Sequence, residues 1–461
     1  MRPMPDTQKT LPKEATDFLK AHPETTTIDA VFADLSGVVR GKRYPIAQIG
    51  KLFGEGVAFP GSVFLLSASG ESQDPKGRGF SDGDPDELAK VIPGTLKPVP
   101  WTERPTAQAL LTLEAMDGTP FAFEPRNVLK KVLARVAELN LRPVVAFELE
   151  FYLIDRKRLP NGAPRPPRSP VTGQRDLATQ VYGMAAVDDF AEFLEAVGRT
   201  CAAQGVQIGA TSSEYAPGQF EINLQHLDDP LLAADHCVMF KRAVQGVARR
   251  HGVQATFMAK PYLETSGSGL HLHVSLLDDK DRNVFDGGEA PASETLLHAM
   301  GGILDLMPES MAILAPNPNS YRRFRPNIYV PVSRSWGYEN RSTALRIPIG
   351  GGAERRIEHR MAGADANPYL VLATALAGLH HGITNKVDPG PPCPGNAGET
   401  LDPGLPFRPY RALDRMLEGK VLPGYFGADY PGTYVACKAK ELESFEDHIG
   451  AVEYAWYLMA D

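Results

Sequence analysis

Residues 28–35 (IDAVFADL) alternate apolar positions with small or polar ones, the pattern of a half-buried strand. Ser36-Gly37 turns the chain into VVRGKRYPI, so a second strand and a hairpin are predicted over residues 28–46. Before it, residues 1–25 read as a loose start and a short helix closed by His22-Pro23. The Gly/Asp/Pro-rich stretch 74–85 predicts a long exposed loop, and residues 91–114 predict further short strands. Apolar residues at Val128, Leu129, Val132, Leu133 and Val136 follow a helical period, predicting a helix over 127–139. Further helices are predicted over 187–204 and 230–251. Another is predicted over 368–383, where Pro368 stands at an early helical position. The basic, Pro-rich segment 156–175 predicts a surface loop, and residues 387–409 predict irregular chain.

Turn signals at 115–125 (AMDGTPFAFEP) separate the two halves. The expected class is α+β, with a small N-terminal sheet domain over residues 1–118 and a large catalytic domain over 119–461.

The 461 residues are 43% hydrophobic and 23% charged, ordinary for a globular chain with room for two domains. The net charge of −8 gives no electrostatic reason to hold nucleic acid or an anionic membrane. Cys201, Cys237, Cys393 and Cys437 stand far apart without a CxxC pair, so no disulfide framework or zinc ribbon is expected. The polar N-terminus lacks an apolar signal core, and the apolar stretch 370–379 is too short to span a bilayer. A cytoplasmic protein is the expectation.

Four segments carry candidate chemistry. In VVAFELEFYLI, Glu148 and Glu150 are spaced i, i+2 and share one face of a strand. Taken alone they are a solvated face as readily as two oxygen ligands for a divalent cation. In SSEYAPGQFEINL, a turn at Pro217-Gly218 brings Glu214 towards Glu221, although surface acids beside a turn are common. In KPYLETSGSGLHLHVSL, His271 and His273 share a strand face behind a Ser-Gly-Ser-Gly turn that permits close approach of a ligand. Between residues 320 and 360 arginine recurs and lysine is absent. Guanidinium forks match carboxylates and phosphates in bidentate fashion, where a merely solvated face would accept lysine equally. Together these are the parts for phosphoryl transfer onto a carboxylate.

In this order, FELEFYL, EYAPGQFEIN, GSGLHLHVS, NSYRRF, NRSTALRIP, RRIEHR and GADANPYL resemble the glutamine synthetase superfamily. The resemblance is dense from residue 148 to 370, and the GKR segment near the N-terminus is similar to the family's small β-grasp domain. It implies a site floored by a curved antiparallel sheet, with ATP and glutamate entering from opposite ends. It implies one cation site of Glu150, Glu214 and Glu221 and another of Glu148, His271 and Glu358, holding Mg²⁺ or Mn²⁺. It also implies His273 and Ser275 near the nucleotide, and Arg341, Arg346 and Arg356 facing phosphates. Arg323 and Arg360 would hold glutamate carboxylates, Gly267 would approach the amino-acid portion, and His271 would lie beside the glutamate. Arg341, Arg346, Glu358 and Arg360 would form the catalytic set. Oligomerisation as two hexameric rings, with active sites between subunits, is implied in the same way.

Two acids that bind ammonium in glutamine synthetases have no counterpart. Phe59-Pro60-Gly61-Ser62 puts proline where the family's FDGSS-like segment has aspartate, and Tyr329 stands in the place of a flap glutamate. An organic amine is therefore the expected acceptor, met by Tyr182, Tyr329 and Trp336 through packing or cation–π contact. The GKR segment, FP-x-SVF and the SYRRF…YVP…SWG run are most similar to the γ-glutamylpolyamine (putrescine) synthetase branch. The expected reaction joins glutamate to putrescine or a polyamine through γ-glutamyl phosphate. An ammonia-using enzyme, or a ligase for methylamine, isopropylamine or ethanolamine, is the alternative.

Overall fold

The computed structural model describes residues 11–460 apart from 73, 179, 290 and 291; the first part of the predicted loose start lies outside the described residues. Helix α1 (Lys13–Ala21) precedes the hairpin β1 (Thr27–Ala33) and β2 (Val39–Pro45). Then come α2 (Ile49–Gly54), β3 (Val57–Pro60), β4 (Asp86–Val91), β5 (Lys97–Pro98) and β6 (Thr106–Glu114). These strands form one sheet in the order β2-β1-β6-β4-β3, with β5 also on β6 and with β1 and β6 parallel.

After α3 (Pro125–Ala137) the chain enters a second sheet. Its strands are β7 (Arg142–Asp155), β8 (Ile208–Ser213), β9 (Gln219–Leu224), β10 (Val253–Thr256), β11 (Leu270–Leu277), β12 (Trp336–Tyr338), β13 (Leu345–Ile347) and β14 (Ile357–His359). The order is β12-β13-β14-β11-β7-β9-β8, with β10 also on β7, and the sheet curls into a half-barrel. Its pairs are antiparallel except β12 with β13, a parallel pair that the expectation of an antiparallel sheet did not include.

Helices cover the back of this sheet. The predicted helix over 187–204 is two, α4 (Met184–Asp189) and α5 (Ala191–Ala203), broken where Phe190 turns into the core. In α6 (Pro230–Arg250) the Asp229 side chain accepts from Leu232 N–H at 3.0 Å, capping the first turn. Helix α7 (Glu294–Leu314), which the sequence pattern did not predict, packs along α8 (Pro368–Asn385). A Cβ on Gly302 would fall 2.1 Å from the Gly378 carbonyl oxygen, so the two backbones touch only because glycine stands there. The chain ends in α9 (Pro409–Glu418), α10 (Leu422–Phe426), α11 (Tyr430–Glu446) and α12 (Ala451–Tyr457).

The first sheet docks at the start of α8. Asn367 caps that helix through its side-chain oxygen and donates from Nδ2 to the Asp34 carbonyl at 2.8 Å. Asp34 in turn pairs with Arg40 at 2.5 Å, which fixes the β1–β2 turn against the second sheet's helices. Among the described residues, no helix is long and apolar enough to cross a membrane.

Candidate active site

Strand β7 lays the floor. Its period of two buries Phe147, Leu149 and Phe151 at 0% exposure and turns Glu148 and Glu150 to the opposite face. Register then carries the pattern sideways. Glu148 lies opposite His271 on β11 and Asn223 on β9, and Glu150 lies opposite Glu221. One strand further, Glu358 on β14 pairs in register with His273 on one side and Arg346 on the other. A band of acids, imidazoles and guanidiniums thus crosses five strands.

The contacts within the band are short. Glu148 Oε1 is 2.9 Å from His273 Nε2, and Oε2 is 3.2 Å from His271 Nδ1. Burial alone would push the Glu148 carboxyl up, but the two imidazoles outweigh it and hold it well below the usual range. Glu358 is wholly buried. Its Oε1 accepts from Arg360 Nη1 at 2.5 Å, its Oε2 touches Arg346 Nε, and His271 Nδ1 lies 3.7 Å away. Burial again opposes the charge, and Arg360, His271, His273 and Arg346 together keep Glu358 below its ordinary value.

The β8–β9 side is different, because its acids face one another and, among the described residues, form no ion pair with an arginine. Burial, then the charge of Glu150, pushes Glu214 up to about 7. Burial followed by Glu148, Glu150 and Glu214 pushes Glu221 up to about 9. Carboxyls are therefore crowded here so that they hold protons, whereas towards β14 guanidiniums and imidazoles keep Glu358 ionised.

This donor set fits a hard divalent cation. One ligand atom each from Glu148, Glu221 and His271 lie within 4.8 Å of one another, and so do atoms of Glu148, His273 and Glu358. Among the described residues, buried Glu358 Oε2 and His273 Nε2 also find no aligned hydrogen bond. Carboxylates with one imidazole per set suit Mg²⁺ or Mn²⁺. The expected trio of Glu148, His271 and Glu358 is close together, with His271 Nδ1 3.2 Å from Glu148 and 3.7 Å from Glu358, and the two sets add His273 and join Glu221 to Glu148. Glu148 belongs to both sets, and His273, expected beside the nucleotide, contacts a carboxylate. Glu150 instead accepts from Gln219 Nε2 at 3.2 Å and from Gly269 N–H at 2.9 Å.

Towards one end of the band, Arg323 is 2% exposed and donates to the Met361 carbonyl at 3.1 Å, while its Nε has no hydrogen-bond partner among the described residues. Gly267 lets the glycine turn press on it, since a Cβ there would sit 2.7 Å from the Ala259 oxygen and 2.8 Å from Arg323 Cγ. Towards the other end, Arg356 Nε donates to His273 Nδ1 at 3.1 Å, and Ser275 continues the His271–His273 face. Arg341 is exposed and lines a cavity of about 750 Å³ together with Tyr329.

The predicted aromatic trio separates. Tyr182 and Tyr329 are exposed, and the Tyr329 ring lies 6.0 Å from Tyr215, next to Glu214. Trp336 does not join them, which corrects the expectation. Its register with Leu345 turns it away from Arg346, and it lies 4% exposed behind Tyr338, the two rings meeting edge-on at 5.5 Å, while its Nε1 donates to the Gly390 carbonyl at 2.9 Å. Tyr338 lines the cavity with Tyr329 instead. The sequence reading also missed Gln219 and Asn223, which hold Glu150 and Glu148 by their side-chain amides. The signal was present, because period two in QFEINL places both on the face of Glu221.

Comparison with known proteins agrees with this geometry. Residues 122–457 match the family described as glutamine synthetase, catalytic domain. The chain is 42% identical to the γ-glutamylputrescine synthetase PuuA of Escherichia coli K12, over 97% of this chain and 94% of that protein. It is 32% identical to a glutamate–isopropylamine ligase of a Pseudomonas species, over 96% of each. A solved GmaS/ADP complex superposes with a TM-score of 0.82 at 28% identity, covering 97% of this chain and 99% of that one. The chain belongs to the glutamine synthetase family and is an ATP-dependent ligase.

Proposed function

We propose that this enzyme joins the γ-carboxylate of glutamate to an organic amine, putrescine or a polyamine, at the expense of ATP. The observation that carries the reading is buried Glu358, held by Arg346 and Arg360 on one side and facing the Glu148–His273 pair on the other. Similarity to a γ-glutamylputrescine synthetase supports the choice of amine. So does the lack of an acid at Pro60 and Tyr329, the places where glutamine synthetases bind ammonium.

A carboxylate does not accept an amine directly, because oxide would have to leave. Transfer of the γ-phosphoryl group of ATP to a γ-carboxylate oxygen gives γ-glutamyl phosphate and ADP. The amine lone pair then attacks the acyl carbon, the bond to the phosphate oxygen breaks, and the amine nitrogen loses a proton. That amine must arrive deprotonated or become so, since an alkylammonium has a pKa of about 10. Arg323 and Arg360 would hold glutamate carboxylates, with Gly267 allowing the close approach. Arg341, Arg346 and Arg356 would face the transferring phosphates, with His273 and Ser275 towards the nucleotide. Glu148, Glu150, Glu214, Glu221, His271, His273 and Glu358 would hold the divalent cations. A bound Mg²⁺ or Mn²⁺ supplies positive charge that offsets the approach of two anions.

The domain division near residue 118, a cytoplasmic location and a double-ring assembly belong to the same reading. Exposed Val452, Tyr454, Trp456 and Tyr457 on α12 support contact with a second copy of the chain. The test is phosphate release with glutamate and ATP over ammonium, monoamines, diamines and polyamines. Putrescine or a polyamine should give the highest kcat/KM; comparable efficiency with ammonium would refute the choice of amine.

A further inference from the structure

The 750 Å³ cavity beside the site combines aromatic walls with one unused acid. It is lined by Tyr329, Tyr338, Glu339 and Arg341, with the loop around Cys393 closing the other side. Through Tyr329, whose ring lies 6.0 Å from that of Tyr215, it reaches the loop that carries Glu214. Glu339 immediately follows β12 and has φ of 51°, a left-handed conformation that a glutamate rarely adopts. Its backbone N–H is held by the Ile347 carbonyl at 3.1 Å. Its carboxylate is exposed, and among the described residues it has no ion pair or hydrogen bond. Residues held in sparsely populated backbone conformations cluster at ligand sites.

We propose that Glu339 binds the distal ammonium of an α,ω-diamine whose other nitrogen is the nucleophile. This rests on the amine-ligase reading above and says how that site would tell diamines from monoamines. When one nitrogen of a diamine is deprotonated to attack, the far one keeps its proton, its pKa being about 10. That charge has to be accommodated where the methylene chain ends. Tyr329 and Tyr338 offer rings to the methylenes and to the cation. Arg341, in the same cavity, repels the ammonium and leaves Glu339 as its one acidic partner among those lining residues. Tyr329, standing where an acid is expected, keeps the near end of the cavity free of a competing carboxylate.

The test compares putrescine with n-butylamine, which has the same carbon chain and no distal nitrogen. kcat/KM for each is measured at saturating glutamate and ATP in the wild type, Glu339→Gln and Glu339→Gly. Glycine suits the positive φ, so the second variant guards against misfolding in the first. The wild type should favour putrescine, and both variants should lower the putrescine-to-butylamine ratio by about tenfold or more, the scale of one charge-assisted hydrogen bond. A ratio within about twofold of wild type in either folded variant would overturn the proposal. A wild type that makes amide from ammonium and from no organic amine would overturn the amine-ligase reading itself, and this proposal with it.

Discussion

His273 Nε2 lies 2.9 Å from Glu148 Oε1, while Arg356 holds the same ring from its other nitrogen at 3.1 Å. The imidazole therefore couples Arg356, proposed to face the phosphates, to the acid common to both ligand sets. His273→Gln should raise the divalent-cation concentration for half-maximal activity by about 10–100-fold. Titrating Mg²⁺ at fixed ATP saturation measures this. A variant with unaltered metal dependence and only a raised KM for ATP would return His273 to a purely nucleotide role.

Glu358 joins two arginines in a place with 0% exposure. Glu358→Ala would leave both guanidiniums buried without a counter-charge, costing about 3–5 kcal/mol of stability as well as activity. Glu358→Gln keeps the shape and separates the two effects. Turnover in that variant should fall at least about 100-fold with the wild-type elution volume preserved. Phosphate release and size-exclusion chromatography together decide it, and retained turnover would remove Glu358 from the site.

Gly267→Ala places a methyl group 2.7 Å from the Ala259 oxygen and 2.8 Å from Arg323 Cγ. One of them must shift, at a cost of about 1–3 kcal/mol. KM for glutamate should rise about tenfold, with KM for ATP little altered. Steady-state kinetics in both substrates shows the split; a rise confined to ATP would contradict the placement of Arg323 at the glutamate end.

Stability should depend on pH through Glu124, which caps no helix by its side chain but accepts from Thr112, Leu113 and Asn127. Burial pushes it up to about 7 from an ordinary 4.5. The folded state thus binds the extra proton, so its stability falls as pH rises from about 4.5 to 7 and is level above. Glu124→Gln should remove this component, on the order of 3 kcal/mol at most. Urea unfolding of both proteins at the two ends of that range measures it. A difference between them that does not change with pH would refute the buried-acid account.

Much of the site was legible because strand chemistry has period two. Glu148 with Glu150, and His271 with His273, announce one face by spacing alone, and the structure brings all four to the same side of the sheet. What spacing does not carry is register. Whether His273 meets a carboxylate or a nucleotide depends on which residue of β7 and β14 lies across from it. The same holds for Trp336, whose face is decided by its pairing with Leu345. Helix α7 was missed for a different reason. It is buried nearly all round, so it lacks an amphipathic stripe, and it contains Gly301, Gly302 and Pro308, residues that disfavour helix. The close approach of α8 compensates for them.

The central claim is that this site makes an acyl phosphate of glutamate, which an organic amine then captures. Glutamate labelled with ¹⁸O in its γ-carboxylate, incubated with ATP, Mg²⁺ and putrescine, tests it directly by mass spectrometry of both products. One labelled oxygen should appear in each phosphate released for every γ-glutamylputrescine formed. Unlabelled phosphate, or labelled phosphate formed with ammonium while putrescine yields no amide, would contradict the account.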